Sequence, residues 1–319
     1  MRIGVITSGG DAPGMNAAIR AVVRTALFRG AQVVGFCRGY EGILRNEAQE
    51  LTSRSVGGII DRGGTILRSA RCKGFMERDG REKAMAVLRE NGVEGLVVIG
   101  GDGSLRGANK LREEFGFPVM VVPGSIDNDI PKTDSSIGFD TAINTAVEAI
   151  DRVRDTAYSH ERVFVIEVMG RRNGLIALEA GIAGGAEAII LPEAPFSIDS
   201  ICDRMRDAAA RGKLSSIIVV AEGAAHAQDV KEMLKERIDV EARAVVLGHM
   251  QRGGRPTAFD RVLAMRLGSL ATNRILSGYS GEMAGLEGNC LVTPTLDEVI
   301  AGTREIDPEK LMLAEVMAH

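Results

Sequence analysis

The chain has 319 residues, 45% of them hydrophobic and 26% charged: globular proportions, long enough for two domains, with no apolar run near the roughly 18 residues that span a bilayer. A formal net charge of −4 gives no bulk positive field and argues against a general nucleic-acid binder, so an anionic small ligand must be held by locally clustered arginines. Cys37, Cys72, Cys202 and Cys290 contain no C-x-x-C pair, which predicts reduced thiols rather than a disulfide framework or a zinc site.

Met1-Arg2 leads directly into Ile3 to Thr7, a β-branched run that predicts a buried strand, and the expectation is a soluble cytoplasmic chain without a signal peptide. That strand meets Ser8-Gly9-Gly10-Asp11-Ala12-Pro13-Gly14 and then a helical pattern through Ala17, Ala18, Ala21, Val22 and Thr25. Strand, glycine-rich turn and helix form a phosphate site when bare N–H groups face an anion, and a plain tight turn otherwise. Arg20 and Arg24 lie one helical turn apart on that helix, a pairing that usually marks solvated surface. Val33 to Phe36 predicts the next strand. In the glycine-rich region from Tyr40 to Arg81, the pattern predicts a helix near Val56 to Arg62, then an irregular basic loop with Arg68, Arg71 and Lys73.

Gly95 to Ile99 predicts a buried strand, followed by Gly100-Gly101-Asp102-Gly103-Ser104 and a helix from about Leu105 to Glu114. Asp102 at a helix entrance either caps the helix or reaches a hydrated Mg²⁺, which favours one or two carboxylates plus waters. The spacing from Gly101 through Gly103 to Gly107 is one residue too long for a nicotinamide fingerprint, and no G-x-x-x-x-G-K-[ST] loop occurs. After the strand Val119 to Val122 comes Pro123-Gly124-Ser125-Ile126-Asp127-Asn128-Asp129-Ile130-Pro131, a stiff loop with two acids where ligands bind in open α/β sheets, or an Asx-rich turn. Phe139 to Arg154 predicts a helix whose Ile143, Ala146, Val147, Ile150 and Val153 face a core. Strands follow at Val163 to Val168, Ala188 to Leu191, Ser216 to Ala221 and Ala244 to Leu247. The alternation predicts an α/β fold of parallel sheets with right-handed crossovers.

Chemistry collects just past the strands: Gly9 and Gly10, Asp102, Asp127 and Asp129, Arg171, Glu222 and His249, the last followed by Gln251-Arg252-Gly253-Gly254-Arg255. Two anion-binding regions with acids between them suit a Mg²⁺-dependent phosphotransferase. The motifs S-G-G-D-A-P-G-M-N-A-A-I-R (8–20), G-G-D-G-S (100–104), P-G-S-I-D-N-D (123–129), E-V-M-G-R (167–171) and G-H-M-Q-R-G-G (248–254) closely resemble the bacterial ATP-dependent 6-phosphofructokinase family, from Arg2 to about residue 305.

That resemblance implies two Rossmann-like domains, each a mainly parallel sheet with helices on both faces, and an active site in the cleft between them. An ATP-binding domain would comprise 1–138 with about 251–301, and a fructose 6-phosphate domain 139–250 with about 302–319. It further implies a homotetramer that uses ATP and Mg²⁺, regulated by ADP and phosphoenolpyruvate. Asp127 matches the general base and Arg171 a side chain on the transferring phosphoryl group; Asp102 and Asp129 match the metal-side carboxylates. Gly10, Tyr40, Arg71, Cys72, Gly101, Asp102, Gly103, Ser104 and Gly107 match nucleotide positions. Ser125, Ile126, Met169, Gly170, Glu222, His249, Met250, Gln251 and Arg252 match sugar-phosphate positions, with Arg162 and Arg243 reaching in from a neighbouring subunit.

In pyrophosphate-using relatives Gly103 is replaced by aspartate and Gly124 by lysine, so both glycines here favour ATP. Arg20, Arg24, Arg154, Gly185, Glu187, Arg211 and Lys213 match the effector site. Ser53, Gly58 and Leu214 depart from it, which implies weakened or altered effector control. Ser125 stands where threonine is usual and keeps the hydroxyl. A pyrophosphate-dependent enzyme, an NAD kinase, a nicotinamide-binding oxidoreductase and a non-catalytic sugar-phosphate sensor are the competing readings. Respectively, the two glycines, the sugar-phosphate set, the failed fingerprint and the presence of Asp127 oppose them.

Overall fold

The computed structural model describes residues 1–318 and divides the chain into two compact units, 1–141 with 252–304, and 142–251 with the segment from Glu305 onward. Among the described residues, no helix is long and apolar enough to cross a membrane.

Unit 1 begins with β1 (Arg2–Ser8), α1 (Met15–Phe28), β2 (Gln32–Phe36), α2 (Tyr40–Leu44), β3 (Ala48–Glu50), α3 (Arg78–Glu90), β4 (Gly95–Gly100), α4 (Asp102–Phe115) and β5 (Val119–Pro123). The apolar runs become strands because Ile3, Val97, Val98 and Val121 are buried on a sheet covered by helices. Helix α5 (Phe139–His160) starts in unit 1, and unit 2 opens at Ala142 within it. Unit 2 continues with β6 (Val163–Val168), α6 (Leu175–Ala183), β7 (Ala188–Ile190), α7 (Ile198–Ala210), β8 (Ser216–Ala221), α8 (Ala227–Lys235) and β9 (Ala242–Val246). The chain returns to unit 1 with α9 (Ala258–Leu276), β10 (Glu282–Met283), β11 (Gly285–Glu287), β12 (Cys290–Val292) and α10 (Leu296–Ala301), and finishes in unit 2 with α11 (Pro308–Met317).

The sheet of unit 1 has the order β10-β5-β4-β1-β2-β3, parallel except for the β2–β3 pair. Its direction of growth reverses between β1 and β4, the place where open α/β sheets leave a ligand crevice. Ser8 pairs with Gly100 and Gly100 with Pro123, so three loops leave this edge side by side. The return of α9 depends on close packing against α1, since a Cβ on Gly268 would lie 2.9 Å from the Ala18 carbonyl and 3.0 Å from Ala21 Cβ. In unit 2 the parallel sheet has the order β7-β8-β6-β9. Val168 pairs with Ala221 and Glu167 with Val246, again aligning the loops that follow.

The expected helix over Val56 to Arg62 is instead a set of turns. Gly58 has φ +65°, a conformation outside the right-handed helix. Helix α4 starts at Asp102 rather than Leu105, and α5 runs on to His160 rather than Arg154. The short elements α2 and β3 had no periodic signal.

One buried acid ties two helix starts together. Asp260 is 0% exposed and accepts from the Gly138 amide (2.8 Å), the Thr141 amide (2.8 Å) and the Thr141 hydroxyl (2.5 Å) at the entrance to α5. Its own amide donates to the α9 N-cap Thr257 (3.2 Å), whose amide donates to Thr141 Oγ1 (3.1 Å). Burial outweighs these donors and pushes the Asp260 carboxyl up to about 6. A raised folded-state value means that this acid's contribution to stability is complete below about pH 4 and lost as pH rises through about 6. The loss is about 3 kcal/mol, from two units at 1.36 kcal/mol each. Thermal melts of wild type and Asp260→Asn across this range are therefore expected to show a melting-temperature gap that changes between acid and neutral pH. A pH-independent gap would contradict it.

Candidate active site

One set of candidate residues gathers at the aligned strand ends of unit 1. Beyond β1, Gly9 and Gly14 take φ of +87° and +102°, backbone that glycine alone adopts cheaply. The following loop is pinned by its neighbours: Asn16 Nδ2 donates to the Arg62 carbonyl (3.0 Å), Asn16 Oδ1 accepts from the Ile66 amide (2.7 Å), and Thr7 Oγ1 donates to the Arg68 carbonyl (2.8 Å). The irregular basic segment is thus fixed beside the glycine turn, with Arg71 exposed just after it.

Past β4, Gly101 is the N-cap of α4 and supplies no side-chain cap. Of the first-turn amides, that of Ser104 donates to the Gly101 carbonyl at 2.9 Å, and no cap side chain occupies those of Asp102 and Gly103. Asp102 receives both bonds from Arg106 Nε, at 2.9 and 3.0 Å. Tyr40 is buried, stacked on Phe75 at 3.9 Å between ring centroids, and donates to the Ser104 carbonyl at 2.7 Å. Burial raises its phenol. A Cβ on Gly107 would lie 2.9 Å from the Tyr40 ring, so Tyr40 is a wall behind the turn. Cys72 donates to Glu41 at 3.1 Å, and burial together with that carboxylate holds the thiol up.

Past β5, the Ser125 amide donates to the Ile137 carbonyl (3.1 Å), and the Ile137 amide to the Pro123 carbonyl (3.0 Å). Ser125 Oγ lies 3.2 Å from the Asp127 amide, which donates to it, and 3.3 Å from Asp129 Oδ1. Asp127 is 2% exposed, while Asp129 is half-buried. Ile126 is fully buried. Arg252 Nη1 donates to the Asp11 carbonyl at 3.3 Å and lies 2.7 Å from where a Cβ on Gly10 would be. A residue matched to the sugar phosphate thus lies against the glycine turn of unit 1.

Unit 2 gathers a second set of candidate residues. Glu222 Oε1 accepts from the amides of Gly170 (3.3 Å) and Arg171 (2.9 Å). Gly170 takes φ +147° and Arg171 +54°, which turns the chain sharply after β6. Gln251 is fully buried and accepts from the Met169 amide at 2.8 Å, so it orients that turn. His249 and Met250 are exposed on the short helical turn Gly248–Arg252. Glu241 pairs with both Arg162 (2.9 Å) and Arg243, and the hydrogen bond from Arg162 holds its carboxyl low.

Of the effector candidates, unit 2 brings Arg154, Gly185, Glu187, Arg211 and Lys213 together. Arg154 donates to the Gly185 carbonyl (2.7 Å), and Lys213 pairs with Glu187 (2.6 Å). Glu187, Arg211 and Lys213 also line a cavity of about 310 Å³ with Arg204 and Met205. Arg20 and Arg24 lie on α1 in unit 1, where burial and Arg24 pull the Arg20 guanidinium down. Ser53, Gly58 and Leu214 are all exposed.

Among the described residues, no three His, Cys, Asp or Glu side chains form a metal cage. Asp102 follows β4 and Asp129 follows β5; an ion that arrives with phosphates and waters, as Mg²⁺ does, needs only one or two such carboxylates. The exposed Arg106–Asp102 pair is weak enough, at about 0–1 kcal/mol, to yield its carboxylate. Sequence reasoning missed Asn128, bonded to Asp134 and Ser136 six and eight residues on, and Asp260, whose partners Gly138 and Thr141 lie more than a hundred residues away. Their only sequence signal is an uncharged amide between two acids and an acid at the third position of a helix.

Residues 2–275 match the family model described as Phosphofructokinase. The chain is 53% identical over 317 residues to an "ATP-dependent 6-phosphofructokinase" of Halalkalibacterium halodurans, with 99% of each chain covered. It is 55% identical over 320 residues to "ATP-dependent 6-phosphofructokinase 1" of Thermus thermophilus, again covering 99% of each. Among solved structures, Pichia pastoris phosphofructokinase in the T-state superposes with a TM-score of 0.90 at 39% identity. That match covers 94% of this chain and 35% of the longer Pichia chain. The chain belongs to the phosphofructokinase family.

Proposed function

We propose that the chain is an ATP-dependent 6-phosphofructokinase, a transferase that moves the γ-phosphoryl group of ATP to the 1-hydroxyl of fructose 6-phosphate. The products are fructose 1,6-bisphosphate and ADP, a step of glycolysis. The observation that carries this reading is the match, over 99% of both chains, to relatives of that name at 53 and 55% identity. The same names favour ATP over pyrophosphate as donor, in line with Gly103 and Gly124.

In this reading the turns after β1 and β4 cradle the nucleotide phosphates with backbone amides, and Arg71 and Cys72 flank them. Asp127 accepts the proton of the attacking hydroxyl, and Arg171 bears on the transferring phosphoryl group. Asp102 and Asp129 would hold Mg²⁺, which when bound neutralises phosphate charge. Met169, Gly170, Glu222 and His249 bind the sugar phosphate. Arg162 and Arg243 do so from a neighbouring subunit of a cytoplasmic homotetramer. The cluster around Glu187 is the proposed effector site, with response to ADP or phosphoenolpyruvate weakened by Ser53, Gly58 and Leu214.

The test is a coupled assay of purified protein with fructose 6-phosphate and Mg²⁺, supplied with ATP or with pyrophosphate. Turnover with ATP is expected. Turnover with pyrophosphate alone would overturn the donor, and no turnover with either would overturn the activity.

A further inference from the structure

Asn128 stands between the two acids of the β5 loop and turns its side chain away from solvent, at 1% exposure. Its backbone has φ +50°, the left-handed region that Asn enters more readily than other residues with a Cβ. Every polar group of its side chain is used. Asn128 Oδ1 accepts from the Ser136 amide at 2.8 Å and lies 3.1 Å from the Ser136 hydroxyl, while Nδ2 donates to the Asp134 carbonyl at 3.1 Å.

The segment receiving these bonds is itself anchored from elsewhere in unit 1. Arg304 donates to the carbonyls of Thr133 (2.6 Å) and Asp134 (2.9 Å), and the Gly288 amide donates to Asp134 Oδ2 (2.5 Å). At its far end, Gly138 is held by Asp260. Ser136 Oγ also reaches back to the Ser125 carbonyl at 2.6 Å. The start of the loop is tied to this strip by the Ser125–Ile137 and Ser136–Ser125 bonds, and the stretch between Asp127 and Asp129 by the Asn128 amide side chain.

We propose that Asn128 is a positioning residue for phosphoryl transfer: its inward amide and left-handed backbone fix the turn that presents Asp127 to the acceptor hydroxyl and Asp129 to the nucleotide–metal side. The inference rests on the phosphofructokinase reading and adds to it a residue that contacts neither substrate. A base displaced by about 1 Å loses on the order of 10²-fold in rate even when substrates still bind. The consequence of loosening this turn therefore belongs in kcat rather than in KM.

Asn128→Gly separates the two parts of the device, because glycine keeps the left-handed backbone and removes the amide bonds; Asn128→Ala removes both. Both variants are to be assayed beside wild type for kcat and for KM of ATP and of fructose 6-phosphate. Activity is normalised to the fraction of protein that binds ATP. For Asn128→Gly the expected result is a kcat lower by about 10- to 100-fold with both KM values within about threefold. Asn128→Ala is expected to lose at least as much. A normalised kcat within threefold of wild type, or a loss that appears in KM rather than in kcat, overturns the proposal; so does a loss fully accounted for by ATP-binding-incompetent protein. Failure of wild type itself to phosphorylate fructose 6-phosphate would overturn the underlying reading, a separate outcome from a normal Asn128→Gly enzyme beside an active wild type.

Discussion

Asp127→Asn is expected to lower kcat by about 10²–10⁴-fold, the range for losing a general base, with fructose 6-phosphate affinity largely retained. The substitution is nearly isosteric and leaves the amide of residue 127 donating to Ser125 Oγ, the bond that shapes the turn at 3.2 Å. What it removes is the capacity to take a proton from the attacking hydroxyl. Because Asp127 is 2% exposed at the end of β5, bulk water is a poor substitute as base. Steady-state kinetics combined with direct titration of fructose 6-phosphate separate the two effects. A variant with near-normal kcat would take Asp127 out of the base role, and one that lost sugar-phosphate affinity in proportion would make it a binding residue instead.

Gly103→Asp is expected to fold normally and to lose ATP-dependent turnover by about 10²–10³-fold. Gly103 lies in the first turn of α4, with no atom within 4 Å of where a Cβ would sit and no positive φ. The protein by itself thus accepts a side chain there, and an acid near a helix N-terminus is mildly stabilising. The penalty arises only when nucleotide phosphates arrive, since like charges brought together cost several kcal/mol and each 1.36 kcal/mol is tenfold in rate. The measurement is kcat/KM for ATP beside a thermal melt. An unchanged melting temperature with a collapsed kcat/KM is the predicted pair, whereas ATP turnover within threefold of wild type would dissociate Gly103 from donor recognition. Gly124 is a tighter position, because a Cβ there would lie 3.2 Å from Met15 Cε. A lysine at 124 therefore requires Met15 to shift, and the single change at 103 is the cleaner probe.

The strands and the chemistry past their ends were legible because both are local. A buried parallel strand needs a short β-branched run, and a phosphate-type turn needs glycines at fixed offsets; Ile3 to Thr7 with Gly9 and Gly10 shows both within eight positions. The helix expected over Val56 to Arg62 failed for an equally local reason. Gly58 adopts φ +65°, and the apolar residues Val56 and Ile59 are buried from a turn rather than from a helical face. Helix α4 began early because the bare backbone of Gly101 serves as N-cap where a polar side chain is the usual signal.

By itself the sequence determined the fold class, the identity of the family and the order of the acids Asp102, Asp127 and Asp129, because these depend on residue type and short spacing. Only the tertiary structure decided which of those stretches lie side by side: Ser8 against Gly100 and Gly100 against Pro123, pairings between residues separated by a whole βα unit. It alone placed Arg252 against Gly10 and Asp260 on the first turn of α5. It also turned Asn128 from a neutral spacer into the tie between the acid-bearing loop and an anchored strip. The physical reason is common to all of these. A strand pairing, a contact that fills the space of a missing Cβ, or a side-chain hydrogen bond, whether across six residues at Asn128 or more than a hundred at Asp260, leaves no periodicity in the chain and exists only once both partners have been folded into place.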